Sequence, residues 1–351
     1  MTRVKKLLSL AVTLIVSASI FTGCGSDKDK VTINVFNWGE YIDESILKDF
    51  EKETGIKVNY MTYATNEEMY EMVKSETTAY DLIVPSDYML ERMIKEDLVQ
   101  EINFDNIPNY KNIDDTYKNM SYDPENKYSI PYLWGTIGII YDKTKITDNI
   151  DSWDDLWNSK YKNDIFMSDD MRNSIGVSLK RLGYSLNSTS QEEIDKATEE
   201  LVKQRNELNA VYIGDQVKDS LLSGERNIAV IYSGDAAVLK QQEPDRFEYV
   251  IPKEGTNLWF DVFAIPKNAQ HKAEAEKFLN YLLDAEVNKK NVDYIGYATP
   301  NKATLELLDD EVKNDKSAYP DKEVIEKSEV YIDLGDFRKA YNDAWLKITS
   351  K

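Results

Sequence analysis

The chain has 351 residues, 42% hydrophobic and 11% aromatic, with 43 Lys and Arg against 63 Asp and Glu, one His and one Cys. A net charge of −20 repels nucleic acid, and a lone Cys leaves no intramolecular disulfide. One His, no Cys pair and no phosphate-cradling glycine loop leave zinc centres, His-based triads and nucleotide loops without their parts, so no metal and no cofactor is expected.

Arg3, Lys5 and Lys6 precede an apolar run from Leu7 to Phe21, and Thr22-Gly23 lead to Cys24. This reads as a signal peptide over residues 1–23, too short and wrongly flanked to be a spanning helix. The Cys at its end resembles a bacterial lipobox, in which the thiol is lipidated and becomes the mature N-terminus. Residues 24–30 would be a polar tether, and several acyl chains would hold the protein at a membrane surface outside the cytoplasm. The remainder is long enough for two domains of ordinary size.

Val31, Ile33 and Val35 alternate with polar residues as a first strand ending near Asn37, followed by Trp38-Gly39-Glu40-Tyr41. A helix over Glu44–Glu53 has Asp43 as its N-cap, an apolar stripe of Ile46, Leu47 and Phe50, and Gly55 past its end. Ile56, Val58 and Tyr60 form a second strand, Glu67–Lys74 a helix, and Asp81–Val84 a third strand. Pro85-Ser86-Asp87-Tyr88 then turns into a helix carrying Met89, Leu90 and Met93. Alternating strand and helix implies a mainly parallel sheet with helices on its faces, and in such sheets ligands bind beyond the carboxyl ends of the strands. Trp38, Glu40 and Tyr41 follow strand one; Ser86 and Tyr88 follow strand three.

Residues 102–128 read as a long loop with short helices, and the apolar run Ile130–Ile139, with Gly135 and Gly138, as a strand crossing between two lobes. A second α/β unit opens with a Ser152–Asp155 capping box, a strand over Ile165–Met167 and Ser168-Asp169-Asp170 at its end. Helices over Arg172–Leu182, Gln191–Glu207 and Val217–Leu222 follow, the last preceded by Gly214-Asp215. The buried strand Ile228–Ile231 ends in Tyr232-Ser233-Gly234-Asp235, with Asp235 read as a helix N-cap. Leu258–Pro266 is a second crossing strand, and Ile295–Asn301 a third crossing after a helix over Ala273–Ala285. A charged helical section closes the chain, with Tyr331 in an apolar break; His271 reads as a surface residue.

If Leu258–Pro266 is extended, Trp259 and Asp261 share a face while Phe260 points the other way. An aromatic plane beside a carboxylate suits an amine bearing hydrocarbon: the acid takes the ammonium and the ring takes the methylenes or the cation itself. Trp259→Ala and Asp261→Asn are then expected to weaken binding while leaving thermal stability nearly unchanged.

The order of features resembles the bacterial polyamine-binding lipoproteins of ABC importers, the spermidine/putrescine-binding PotD type. The matching stretches are Asn37-Trp38 with Glu40-Tyr41, Asp81-Leu82-Ile83-Val84-Pro85-Ser86, Ser129-Ile130-Pro131-Tyr132 with Trp134-Gly135, Trp259-x-Asp261, and Ile295-Gly296-Tyr297-x-Thr299-Pro300-Asn301. The resemblance implies a type II periplasmic-binding fold: two α/β lobes, three crossovers and a cleft that closes on the ligand by hinge motion. The lobes would be residues 31–137 with 261–299, and 138–260 with 300–351. Permease subunits of an ATP-driven importer would be the membrane partner, and the binding protein a monomer.

Carried over residue by residue, Trp38 and Tyr41 wall one end with Glu40 near an amine, Ser86 and Tyr88 offer oxygens, and Asp170 faces a terminal ammonium. Trp259 stacks on the methylene chain, Asp261 pairs with a charged nitrogen and Tyr297 closes the box. Three positions depart from the family pattern: a recognised carboxylate is Asn173 here, a cleft Trp is Tyr232, and a Gln is Tyr331. Losing an acid makes putrescine as good a candidate as spermidine unless another, such as Asp215, compensates. A sugar-binding protein is the nearest rival and would want more Asn, Gln and Arg at the strand ends. A ferric-ion binder would need clustered Tyr with His or acids. A secreted glycosidase would use two cleft carboxylates, for example Glu40 and Asp170, as acid and base.

Overall fold

The computed structural model describes residues 31–350; the expected signal peptide, the expected lipidation site Cys24 and the expected tether lie outside them. The first α/β run is β1 (Thr32–Trp38), α1 (Glu44–Thr54), β2 (Lys57–Tyr63), α2 (Asn66–Lys74), β3 (Leu82–Ile83), α3 (Asp87–Lys95) and β4 (Val99–Gln100). Three short 3-10 turns at Phe104–Asn106, Pro108–Asn112 and Asp115–Tyr117 fill the long connection to β5 (Ser129–Asp142). The second run is β6 (Ile165–Ser168), α4 (Met171–Arg181), α5 (Gln191–Leu208), β7 (Val211–Ile213), α6 (Val217–Ser223), β8 (Ile228–Tyr232), α7 (Ser233–Gln242) and β9 (Phe247–Val250). Then come β10 (Leu258–Pro266), α8 (Lys272–Leu282), α9 (Ala285–Ile295), α10 (Lys302–Leu307), α11 (Asp310–Lys313), α12 (Lys322–Lys327) and α13 (Arg338–Thr349).

The strands join in one sheet of order β2-β1-β3-β10-β5-β8-β6-β7, with β4 beside β10 and β9 beside β5. The β1–β2, β1–β3, β6–β7 and β6–β8 pairs are parallel, whereas β10 and β5 run antiparallel through the middle. Strand β5 changes partner along its length: Ser129–Thr136 pair with β10, and Ile137–Tyr141 pair with β8. It is therefore the strand that connects the two parallel groups, as its continuous apolar sequence implies. The third expected crossing is slighter. It contributes only single bridges, Trp134 to Ala298 and Ile113 to Asn301.

Period-two alternation divides the core between the two faces of the sheet. Ile33 and Val35 of β1 share one cluster with Ile46 and Phe50 of α1, while Phe36 packs with Met69, Tyr70 and Met89 from α2 and α3. The Phe50 ring lies 4.8 Å from that of Phe278 on α8, a contact type that contributes about 0.5–1.5 kcal/mol beyond area burial. Local signals act as read: Asp43 accepts from the Ser45 N–H at 2.9 Å and Gly55 ends α1 at φ 76°. The Ser152–Asp155 capping box is present, on a 3-10 turn.

Several readings need correction. Asp235 is not an N-cap; it lies inside the first turn of α7, whose cap position is Tyr232, with no side chain bonding the helix's first N–H groups from there. Asp170 is the residue that caps, accepting from the Asn173 N–H at 2.8 Å. The expected helix over Ala273–Ala285 breaks before Asp284, which caps α9 instead. His271 is half-buried, its backbone N–H held by buried Asp81 at 2.8 Å.

Candidate functional site

Strand β10 carries the centre of the site. Trp259 packs on the side that holds Phe263 and Ile265, and Phe260 on the opposite side against Trp134, at 6.4 Å between rings. Opposite Asp261 and Val262 the ladder skips one residue of β5, Tyr132, next to Pro131, which has no N–H to donate. Freed from the ladder, Tyr132 sends its hydroxyl to the Tyr41 carbonyl at 2.5 Å and accepts from Asn291 at 2.7 Å. This fixes the backbone at Tyr41.

Asp261 is buried, and its two oxygens accept from the Tyr41 hydroxyl at 2.7 Å and the Ser86 hydroxyl at 2.6 Å. Desolvation raises its pKa to about 6 although both hydrogen bonds oppose the rise. Among the described residues no Lys or Arg lies within ion-pair distance of Asp261 or Asp170. A carboxylate so placed has lone pairs left and gains from an incoming cation. Behind it, Asp87 accepts from the Phe260 N–H at 3.1 Å and the Tyr88 N–H at 2.6 Å, tying α3 to β10; burial lifts its pKa to about 8.

Beside the carboxylate stands an aromatic box. The Trp259 ring meets Tyr297 at 5.1 Å and Tyr232 at 6.0 Å, both near perpendicular, and Tyr297 meets Tyr41 at 5.7 Å. Two glycines make room for it. A Cβ on Gly135 would fall 2.6 Å from Trp259 Cζ2, and one on Gly234 would fall 2.1 Å from Tyr297 Cδ1.

A second corner surrounds Asp170. This residue is open to solvent, yet so walled in by protein that desolvation raises its pKa to about 6. Asn173 donates to the Tyr232 hydroxyl at 2.7 Å, and Tyr331 donates to the Arg172 carbonyl at 2.8 Å, its hydroxyl lying 3.4 Å from Asn173 Oδ1. The Arg172 guanidinium lies 4.3 Å over the Tyr331 ring and 5.6 Å over that of Tyr88. Tyr88 donates in turn to Glu67 at 3.4 Å.

Thus Tyr41, Ser86 and Asp261 meet directly, as do Trp259, Tyr232 and Tyr297; Tyr88, Asn173 and Tyr331 gather near Asp170. Three others stand apart. Trp38 packs on Tyr63 at 4.7 Å. Glu40 is exposed with φ 52°. Asp215 is exposed and acts on Asp169, whose pKa is raised by burial and by this neighbour, and on the Lys218–Asp235 pair. That pair is closed at 2.9 Å, with Tyr297 donating to the other Asp235 oxygen at 3.4 Å. Lys218, Asn66 and Glu67 were not singled out from the sequence. Asn66 and Glu67 follow Thr65, where the Thr-x-x-Glu start signal of α2 accounts for them without a site.

A sheet shared by two α/β groups, with aromatic rings and unpaired carboxylates converging where strands end, defines a solute-binding protein of the type II periplasmic-binding fold. Residues 45–320 match the family of bacterial extracellular solute-binding proteins. The chain is 42% identical over 325 residues, 92% of each chain, to the spermidine/putrescine-binding periplasmic protein of Salmonella typhimurium. It is 32% identical over 360 residues, 97% of each, to the putrescine-binding periplasmic protein SpuD of Pseudomonas aeruginosa. The solved PotD substrate-binding protein of Streptococcus pneumoniae superposes with a TM-score of 0.81 at 38% identity, covering 91% of this chain and 98% of that one. The chain belongs to the bacterial extracellular solute-binding proteins, in the branch of the spermidine/putrescine-binding periplasmic proteins. These are extracytoplasmic transport proteins and not enzymes, so the glycosidase reading of Glu40 and Asp170 is set aside.

Proposed function

We propose that the chain binds a polyamine, putrescine or spermidine, outside the cytoplasm and delivers it to the permease subunits of an ABC importer. The observation that carries this reading is Asp261, a buried carboxylate with no cationic partner among the described residues, wedged between the Tyr41 and Ser86 hydroxyls and the Trp259–Tyr297 rings. One ligand ammonium pairs with Asp261 while the methylenes run along Trp259, between Tyr232 and Tyr297; cation–ring contact contributes about 0.5–2 kcal/mol. Asp170 takes the ammonium at the other end. Ser86 and Tyr88 supply oxygens, Asn173 and Tyr331 hold Tyr232 in place, and Trp38, Glu40 and Asp215 form the outer rim.

The lobes in this reading are residues 31–137 with 261–299, and 138–260 with 300–351. The partner change on β5 at Thr136/Ile137 supports a hinge there. The ligand bridges the lobes, and closure follows from its contacts to both. The protein acts as a monomer, anchored through lipid on Cys24. Thermal denaturation with putrescine, cadaverine, spermidine, spermine and two neutral sugars tests the reading. A rise in Tm with polyamines alone supports it, and a rise with sugars alone contradicts it.

A further inference from the structure

Resting on the polyamine reading above, we propose that Glu67 is the second carboxylate for the ammonium held by Asp170, doing what the neutral Asn173 cannot. Asn173 can offer an ammonium at most a neutral carbonyl oxygen: its Nδ2 donates to Tyr232, its backbone N–H donates to Asp170, and its Oδ1 lies 3.4 Å from the Tyr331 hydroxyl. Asp215, the acid that the sequence suggests as a substitute, is exposed, and its charge acts on Asp169, Lys218 and Asp235 rather than standing among the main charges that act on Asp170.

Glu67 is placed by a directed hydrogen-bond chain. At its centre is Asn66, only 6% exposed. Its Oδ1 accepts the Ser86 backbone N–H at 3.1 Å, which fixes the amide's orientation. Its Nδ2 then donates to both the Ser86 and the Tyr88 hydroxyls, each at 3.1 Å. With those oxygens already accepting, the two hydroxyl hydrogens point outward, Ser86 to Asp261 at 2.6 Å and Tyr88 to Glu67 at 3.4 Å. One buried amide therefore links two carboxylates and leaves each with free acceptor capacity.

Tyr88 lies in the field of Glu67, Asp170 and the Arg172 guanidinium; burial is the main cause that raises the Asp170 pKa, the Glu67 charge adds to it, and Arg172 opposes it. The two acids reach Tyr88 from different elements: Glu67, in the first turn of α2, is 3.4 Å from its hydroxyl, and Asp170 caps α4, whose Arg172 lies 5.6 Å over the Tyr88 ring. Among the described residues no Lys or Arg is within ion-pair distance of either. Two like charges at one place repel unless a cation lies between them. An ammonium there has three donors and satisfies both carboxylates at once, drawing α2 and α4 together as it binds.

The test is calorimetry with putrescine and spermidine on the chain lacking residues 1–24, in wild-type, Glu67→Gln, Asp170→Asn, double-mutant and Glu71→Gln forms. Glu67→Gln is expected to weaken both ligands by about tenfold to a hundredfold, the range for one charge-assisted bond. The double mutant should lose less than the product of the single losses, and the exposed Glu71→Gln should bind as wild type. A second readout needs no ligand: the carbon-13 titration midpoint of the Asp170 carboxyl should fall in Glu67→Gln. Wild-type affinity in Glu67→Gln, an equal loss in Glu71→Gln, or an unmoved Asp170 midpoint would each overturn the proposal. If the wild type bound neither amine, the polyamine reading would fall and this proposal with it.

Discussion

The Tyr41 hydroxyl lies 2.7 Å from a carboxylate oxygen of Asp261, across 220 positions of chain. Tyr41 follows the first strand of the sheet and Asp261 lies in the middle of the tenth, so the contact exists only once the sheet is complete. Ser86, from a third element, closes on the other oxygen. These bonds hold an acid at a fixed point in a desolvated place, and a site so preorganised loses little on binding.

Asp261→Asn is expected to separate binding from stability. The amide keeps the volume and removes a buried charge that desolvation disfavours. Polyamine affinity should fall by about a hundredfold or more, while Tm at pH 7.5 stays level or rises. A large drop in Tm would mean that the carboxylate holds the fold rather than the ligand.

Trp259→Ala is expected to cost stability as well as binding, where the sequence alone suggested a loss of binding only. Trp259 is only 7% exposed and packed against two tyrosines, so truncation opens a cavity. Urea denaturation should show a loss of about 3 kcal/mol or more, together with lost binding. Gly135→Ala probes the same ring from behind: its Cβ would come within 2.6 Å of Trp259, and displaced rings should weaken binding by about tenfold or more.

Binding and stability should respond to pH in opposite directions. Asp87, Asp170 and Asp261 keep their protons to about 8, 6 and 6, higher than an unfolded Asp. The native state therefore holds more protons above about pH 4, and these groups make the free protein less stable as pH rises from there to about 8. An ammonium favours the ionised forms, so binding expels protons below about pH 6. Affinity should then rise between pH 5 and 7, by up to about a hundredfold if Asp170 and Asp261 each release one. Calorimetry in buffers of different ionisation heat measures the proton release directly. A pH-independent Kd would contradict the assignment of both acids.

Lys218→Met should change the ranking of ligands. The Lys218 ammonium, 2.9 Å from Asp235, is a positive charge built into the rim near Glu40, and these acids raise its pKa against the opposing effect of burial. Without it, the three-charge spermidine should gain several-fold over the two-charge putrescine. An unchanged ratio in competition binding would show that Lys218 lies beyond the ligand's reach.

Much of the architecture could be read from the chain because its signals are local. Alternation gave β1, the apolar run Leu258–Pro266 gave β10, and Asp43 and Gly55 bounded α1; Tyr41 and Ser86 stood out because they follow strands, Trp259 and Asp261 because they share a strand face, and Tyr297 through the family resemblance. What could not be read depends on packing between distant elements. Glu67 lies within an ordinary helix start, and only the fold brings it to Tyr88. Asp170 and Asp235 look alike in sequence; one caps a helix and the other pairs with Lys218 from a different helix. The omission of Tyr132 from the β5–β10 ladder, which frees its hydroxyl to fix Tyr41, has only Pro131 as its mark in the sequence.

The most direct measurement is titration calorimetry of putrescine, cadaverine, spermidine and spermine into the chain lacking residues 1–24 at pH 7.5, beside the Asp261→Asn form. The wild type is expected to bind at least one amine one-to-one, weakened about a hundredfold or more in the variant. No heat from any of the four, or equal affinity in both proteins, would contradict this expectation.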